Sequence, residues 1–438
     1  MLSIITALVL SVIIYFMPLP IPFQAHIVLS LLIFAAVLWV TEALPLYLTA
    51  IIATLLIVVL GILPVKSAAA KFADPVIVLF FAGFMIARAM QKHGLDKRFA
   101  WSIASKTTSS WIMLLLVMIA TAFMSMWISN TATTAIMIPI GLAIVLKAGR
   151  RASNFSKAMV LGIAFSANIG GMGTIIGSPP NAITVANLGS MAGVSVSFLG
   201  WLVKAVPVVI VLIPLTWLVL LWMYRPEKKH IQHIEHKFNP MKTDQKLFLG
   251  IFALTVFLWF TTELHGISSS VVGMIGVVLL FLSGLLSTED LGKIKWDILI
   301  LFGGGLVLGS AMFETGLSAY FADVLAGFLM GNPNILIIFI LVVFSIAMGA
   351  LASNTATAAI IIPVILPLAG SLNLSPETIA MVCGLAVSLD FLLPVGTPPN
   401  AIAYSTGKIR VWEMFRAGII ITVISALVLT LFASFLWV

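Results

Sequence analysis

The sequence predicts an all-α polytopic membrane protein built from two inverted-topology repeats, with eleven transmembrane helices, two re-entrant hairpins and two helices broken at mid-membrane. Three observations carry that expectation. Apolar stretches long enough to cross lipid recur along all 438 residues, which are 61% hydrophobic and 9% charged, and a soluble domain of that length could not hide so much apolar surface. Four short motifs occur twice, in the same order. The basic residues beside the two copies then give them opposite sidedness, because Lys and Arg collect on the cytoplasmic face.

Taken in order, the first element is a transmembrane helix within residues 1–24, opening MLSIITALVLSVIIYFM. It lacks the basic start and small-residue cleavage site of a signal peptide and reads as a retained span. The first repeat, residues 25–224, carries LWVTE at Trp39, VIVLFFAGFMIARAMQKHGL ending at Leu95, SNTATTAIMIPI from Ser129 and GSPPNAI from Gly177. The apolar run around the first SNT spans about residues 109–146. Lys92, Lys97, Arg98 and Lys106 precede it, and Lys147, Arg150, Arg151 and Lys157 follow. Both ends are therefore cytoplasmic, and a run whose ends share a face must enter and turn back. Two short helices with SNT at the tip fit it. A helix broken at GSPPN follows, at about residues 157–187.

Residues 225–246 form a polar cytoplasmic linker, with Tyr224 at its entrance. His230, His233 and His236 repeat there at helical spacing, which permits a metal, although a charged connection explains them as well. The second repeat, residues 247–438, carries LWFTTE at Trp259, ILILFGGGLVLGSAMFETGL ending at Leu317, SNTATAAIIIPV from Ser353 and GTPPNAI from Gly396. Its hairpin, about residues 334–370, has no Lys or Arg on either flank, so its ends face outward; a broken helix at about 378–405 follows. The N-terminus is then cytoplasmic and the C-terminus extracytoplasmic.

A helix that stops inside the bilayer leaves bare carbonyls at one end and bare N–H groups at the other. Such backbone survives only where it lines a cavity or is covered by protein. Each SNT turn offers carbonyls with Ser and Asn oxygens as a cage for a small cation, and the N–H groups of the next helix face an anion. In GSPPN and GTPPN, Ser178 and Thr397 are natural N-caps, and Pro179 and Pro398 suit the first helical position. Four helix N-termini can thus hold one anion. A lone SNT would read as a kink relieved by its own side chains; four motifs in repeat-related pairs read as a binding site.

These paired SNT and PPN signatures resemble the divalent anion/sodium symporter family, carriers of di- and tricarboxylates and, in some branches, sulfate. The resemblance covers essentially the whole chain. It implies a homodimer in which a transport domain slides elevator-fashion against a dimerising scaffold, and two sodium sites beside the substrate. Carried over, Ser129, Asn130 and Thr131 with Ser353, Asn354 and Thr355 contact the substrate carboxylates, and Ser178, Pro179, Thr397 and Pro398 close the site. The first sodium sits among Ser125, Ser129, Asn130 and the carbonyl of Gly177; Ser125 and Ser129, four apart, share a helical face. The second is expected at Asn354 and the carbonyl of Gly396, where Gly349 stands in place of the expected hydroxyl residue. Asp390, an intramembrane acid without a counterpart in the first half, is a candidate coupling residue, binding a cation in compensation or carrying a proton; a structural acid is the alternative.

The net charge of +8 lies in short loops, so no nucleic-acid partner is expected; the partners are a lipid bilayer and a small dicarboxylate. Lone Cys383 excludes an internal disulfide and a thiolate metal site. No paired catalytic acids, nucleophile–base set or metal-ligand cluster appears within the spans, which argues against an enzyme, and no organic cofactor is expected. Mirrored half-depth hairpins suit alternating access better than a channel. Moving a dianion into a cell against an inside-negative potential costs ~4.6 kcal/mol per 100 mV, at ~2.3 per charge. Two sodium ions cancel that charge, and exchange of one dicarboxylate for another avoids it. Sodium symport of C4-dicarboxylates such as succinate, malate and fumarate across the cell membrane is the first reading; exchange with little sodium coupling, or carriage of citrate or sulfate, is the alternative. Glu42 and Glu263, in matching places, are expected to anchor or pair near helix ends; Arg88, Lys204 and Glu314 to snorkel; and Trp39, Trp201, Trp259 and Trp296 to form interfacial belts.

Overall fold

The structure is a computed structural model describing residues 2–104, 107–149, 153–231 and 239–437. Lys106, Arg150 and Arg151 of the flanking charge, and His233 and His236 of the histidine triplet, lie outside the described residues. Among those described the chain is all-helical, and seven helices are long and apolar enough to cross a bilayer, among them Phe23–Thr41, Phe198–Met223 and Val411–Leu436. Eight shorter apolar helices accompany them.

Both SNT runs fold as helix–turn–helix. Ser110–Ser125 stops before the first motif and Asn130–Ala148 restarts within it; Asn334–Leu351 and Asn354–Ile365 do the same around the second. Asn130–Ala148, at 19 residues, is itself one of the seven long apolar helices and exceeds the short arm expected. Both PPN motifs fall at breaks, between Ser153–Gly171 and Pro179–Ala192, and between Pro376–Ala386 and Pro398–Ser405. A Pro at the first turn starts each outgoing helix at no hydrogen-bonding cost.

The helices Ser110–Ser125 and Asn130–Ala148 both pack on Ser153–Gly171. Close approach requires glycine there: a Cβ at Gly170 would enter the backbone of Ala122. The outgoing helices cross over. Pro179–Ala192 packs on Asn354–Ile365 of the other half, and Pro398–Ser405 packs on Asn130–Ala148.

Side-chain bonds repeat between the halves. Trp39 Nε1 donates to the carbonyl of Leu46 at 3.0 Å and Trp259 Nε1 to that of Ser269 at 2.8 Å, each reaching the first residue of the apolar helix that follows. This corrects the interfacial-belt expectation. Trp39, Trp201 and Trp259 are wholly buried, Trp201 donating to the Met172 carbonyl at 3.0 Å, and only Trp296 is exposed. An indole enters a core freely once a carbonyl takes its N–H. Glu42 and Glu263 form no ion pair among the described residues; Glu42 takes a left-handed backbone, φ 48°, at the end of Phe23–Thr41.

Snorkelling is also too simple for two of the cations. Lys204 pairs with Glu377 at 2.7 Å, while Arg88 and Lys92 bond the two carboxylate oxygens of buried Asp290 at 2.9 and 2.7 Å. Lys157 pairs with Glu413 at 2.7 Å. The start of the linker is tethered by backbone, Ser110 N donating to the Lys229 carbonyl at 3.0 Å and Ile231 N to that of Thr108 at 2.8 Å, while Arg225, Glu227, Lys228, Lys229 and His230 are exposed.

Burial alone would raise the pKa of Asp290, but bonds from Lys92, the Ser287 N–H and Arg88 outweigh it and hold the carboxyl well below its usual 3.8. Its stabilisation is therefore full above that value and lost as pH falls through the lower folded one. Asp290→Asn is expected to cost about 1–3 kcal/mol at neutral pH and to flatten the acid limb of the thermal-melting profile. An unchanged acid limb would contradict this.

Candidate functional site

One cavity of about 650 Å³ gathers the repeated motifs. Ser129, Asn130 and Thr131 line it from one half and Ser353, Asn354 and Thr355 from the other, with Ser178, Pro179, Thr397 and Pro398 between them. All ten residues expected at the substrate thus share a single space, as does Gly396. Ser125, Gly177, Gly349 and Asp390 do not line it.

Four helices begin at this cavity, at Asn130, Pro179, Asn354 and Pro398. Each presents the positive end of a helix dipole, contributing ~0.3–1 kcal/mol toward an anion and up to ~2 when partly buried. The two Pro-Pro starts, however, carry no N–H at their first two residues, and the N–H groups of Asn181 and Asn400 donate to the Ser178 carbonyl and to Thr397 Oγ1. Ser129 Oγ caps its helix by accepting from Ala132 N at 3.4 Å, and Thr397 Oγ1 accepts from Asn400 N at 3.3 Å. Ser178 and Ser353 hold the same positions without a side-chain cap bond.

Behind the first SNT the amide of Asn130 faces Ser125 Oγ at 2.7 Å, the Ala167 carbonyl at 3.2 Å and the Gly177 carbonyl at 3.3 Å. With NH2 turned inward, Asn130 donates to these oxygens. With Oδ1 inward, they form an oxygen cage suited to a hard monovalent cation. The Ala167 carbonyl is an oxygen of this cluster that motif reading missed, while Ser129 lines the cavity and caps its own helix. A Cβ at Gly171 would collide with this amide.

The second half keeps the plan with different atoms. Asn354 Oδ1 is buried without a hydrogen bond. A Cβ at Gly349 would lie 2.9 Å from the Val387 carbonyl and 3.6 Å from Asn354 Oδ1. Asp390 is 1% exposed; its Oδ1 accepts from Leu392 N at 3.3 Å and its Oδ2 has no partner.

The PPN asparagines hold both breaks in the same way. Asn181 Nδ2 donates to the carbonyls of Gly171 and Thr174 at 2.9 and 2.7 Å, and Asn400 Nδ2 to those of Asp390 and Leu393 at 3.2 and 3.1 Å. Buried Asn168, which sequence reading also missed, lines the cavity and crosses between halves. Its amide donates to Thr397 Oγ1 at 3.1 Å and Asn400 Oδ1 at 3.4 Å. Glu42, Lys295 and Asp297 also line the cavity, so a cation stands at the site although none lies within the motifs.

A family model for the sodium:sulfate symporter transmembrane region matches residues 1–438. A transporter of Haemophilus influenzae is 35% identical over 98% of this chain and 96% of its own length. The sodium-dependent dicarboxylate transporter SdcS of Staphylococcus saprophyticus is 34% identical, covering 93% of this chain and 85% of its own. SdcS of Staphylococcus aureus is 34% identical, covering 97% and 88%. Among solved structures, the YdaH transporter of Alcanivorax borkumensis shares the fold at a TM-score of 0.61 and 12% identity, covering 85% of this chain and 88% of its own. MtrF of Neisseria gonorrhoeae does so at 0.60 and 12%, covering 100% and 94%.

Proposed function

The chain belongs to the sodium:sulfate symporter family, the divalent anion/sodium symporters that its motifs resemble, and from that premise we propose that it carries C4-dicarboxylates across the cell membrane coupled to sodium. It is a multi-pass membrane transporter and not an enzyme. The observation that carries the reading is the single cavity on which four helix N-termini and both SNT motifs converge. Polar clamps from two sides suit a short molecule with an acid at each end. Ser129, Asn130 and Thr131 take one carboxylate, Ser353, Asn354 and Thr355 the other, and Ser178 and Thr397 close on them. Sodium enters the cage of Ser125, Asn130 and the Ala167 and Gly177 carbonyls, where it offsets substrate charge.

The ion pairs support the sidedness. Lys92 with Asp290 and Lys157 with Glu413 join ends that the charge rule assigns to the cytoplasm; Lys204 with Glu377 joins ends assigned outside. On that assignment Glu42, Lys295 and Asp297 mark a cytoplasmic mouth, and the site faces inward. Movement to the outside is elevator-like, within a homodimer.

Binding of succinate, malate, fumarate, 2-oxoglutarate, citrate and sulfate to the purified protein, with and without sodium, tests the substrate class. Tightening by sodium confined to the C4 acids is expected. Preference for citrate or sulfate would overturn the C4 assignment, and equal counterflow in the absence of sodium would replace symport with exchange.

A further inference from the structure

We propose that the carboxylate of Asp390 is a direct ligand of a second monovalent cation, shared with Asn354 Oδ1 and the carbonyls of Val387 and Gly396. The inference rests on the sodium-coupled reading and names a ligand that the first cage lacks.

The argument begins with register. Asn181 binds the carbonyls ten and seven residues before it, and Asn400 binds the carbonyls ten and seven residues before it. Asp390 is therefore the structural twin of Gly171. At Gly171 any side chain would run into the Asn130 amide, so the direction in which a Cβ grows there is the direction of the first cage. Asp390 carries a real side chain at the equivalent place. Its Oδ2 lies against Gly396, where a Cβ would collide with it, and Gly396 is the twin of the Gly177 whose carbonyl closes the first cage.

Two acceptors are left over on this side. Asp390 Oδ2 and Asn354 Oδ1 are both buried without a donor. No Lys, Arg or His forms a salt bridge with Asp390 among the described residues. A buried carboxylate with no counter-ion and a single backbone donor, Leu392 N, is expensive, and such groups are normally paired or coordinate a metal. Gly349 fits the same account. The Val387 carbonyl already occupies the approach that a Ser or Thr side chain would need, so the lost hydroxyl has no room at Gly349 and the donor comes from the opposite wall.

Carboxylate, amide and carbonyl oxygens are hard ligands, suited to sodium or lithium more than to soft metals. The two cages then differ in charge. The first is neutral, and its cation offsets the substrate. The second is anionic, so its cation offsets Asp390 and binds at lower concentration, before the substrate arrives.

Equilibrium binding of radioactive sodium to the purified full chain, without substrate, tests this. Wild type is expected to bind two ions per protomer in two phases. Asp390→Asn should lose the tight phase, by at least about tenfold in midpoint, and bind one ion, whereas Ser125→Ala should keep the tight phase and lose the weak one. If Asp390→Asn fails to fold, Asp390→Ser should show the same loss. An Asp390 variant with two ions and both midpoints within twofold of wild type overturns the proposal. So does sodium binding lost in Ser125→Ala alone, which leaves the sodium-coupled reading intact. Loss in the Asp390 variant alone sustains the proposal and removes the first cage instead.

Discussion

Asn130→Ala is expected to lower sodium-driven succinate uptake into proteoliposomes by about 100-fold or more, equivalent to ~2.7 kcal/mol of lost stabilisation. The residue has two duties that no neighbour can take over. Its backbone opens the helix that begins at the cavity, and its amide lies beside Ser125 Oγ and the Ala167 and Gly177 carbonyls. Alanine keeps the helix and removes the only amide in that cage. A monodisperse variant retaining more than about a fifth of wild-type uptake would show that the cage plays no part in coupling.

Gly171→Ala should be nearly as damaging while adding only a methyl group. The new Cβ would occupy the space of the Asn130 amide, so the amide must move and the cage must open. Uptake is expected to fall about 30-fold at low sodium and to recover in part at high sodium, the pattern of a weakened ion site. Gly250→Ala, in a helix where a Cβ meets nothing within 4 Å, is the matched control and should transport normally. Equal uptake by the two variants would remove Gly171 from the account.

Most of the cavity's polar lining was legible because its motifs occur twice. A single Ser-Asn-Thr in an apolar run has a bland explanation, whereas its recurrence beside recurring Pro-Pro-Asn ties four distant segments to one task. All ten residues chosen on that basis line the same cavity. What escaped was whatever broke the repetition or came from backbone. Asn168 is matched in the second half by Val387, so comparing the halves hides it. The Ala167 carbonyl has no side-chain signal at all. Lys295 lies outside every motif and reaches the cavity only through the packing of Trp296–Glu314. The tryptophans misled for another reason: hydropathy records that an indole is amphipathic, but the carbonyl satisfying Trp39 or Trp259 appears only once the apolar helix that follows folds back. Arm length was misjudged because an apolar run gives no mark of where a helix ends at depth.

The crossover of the outgoing helices has a bearing on ancestry. Each half sends its last helical piece from the break to lie on its sibling's return arm, so neither half owns a whole receptor. A precursor half this long would have been a lock with half its wards missing, working only when two such chains embraced.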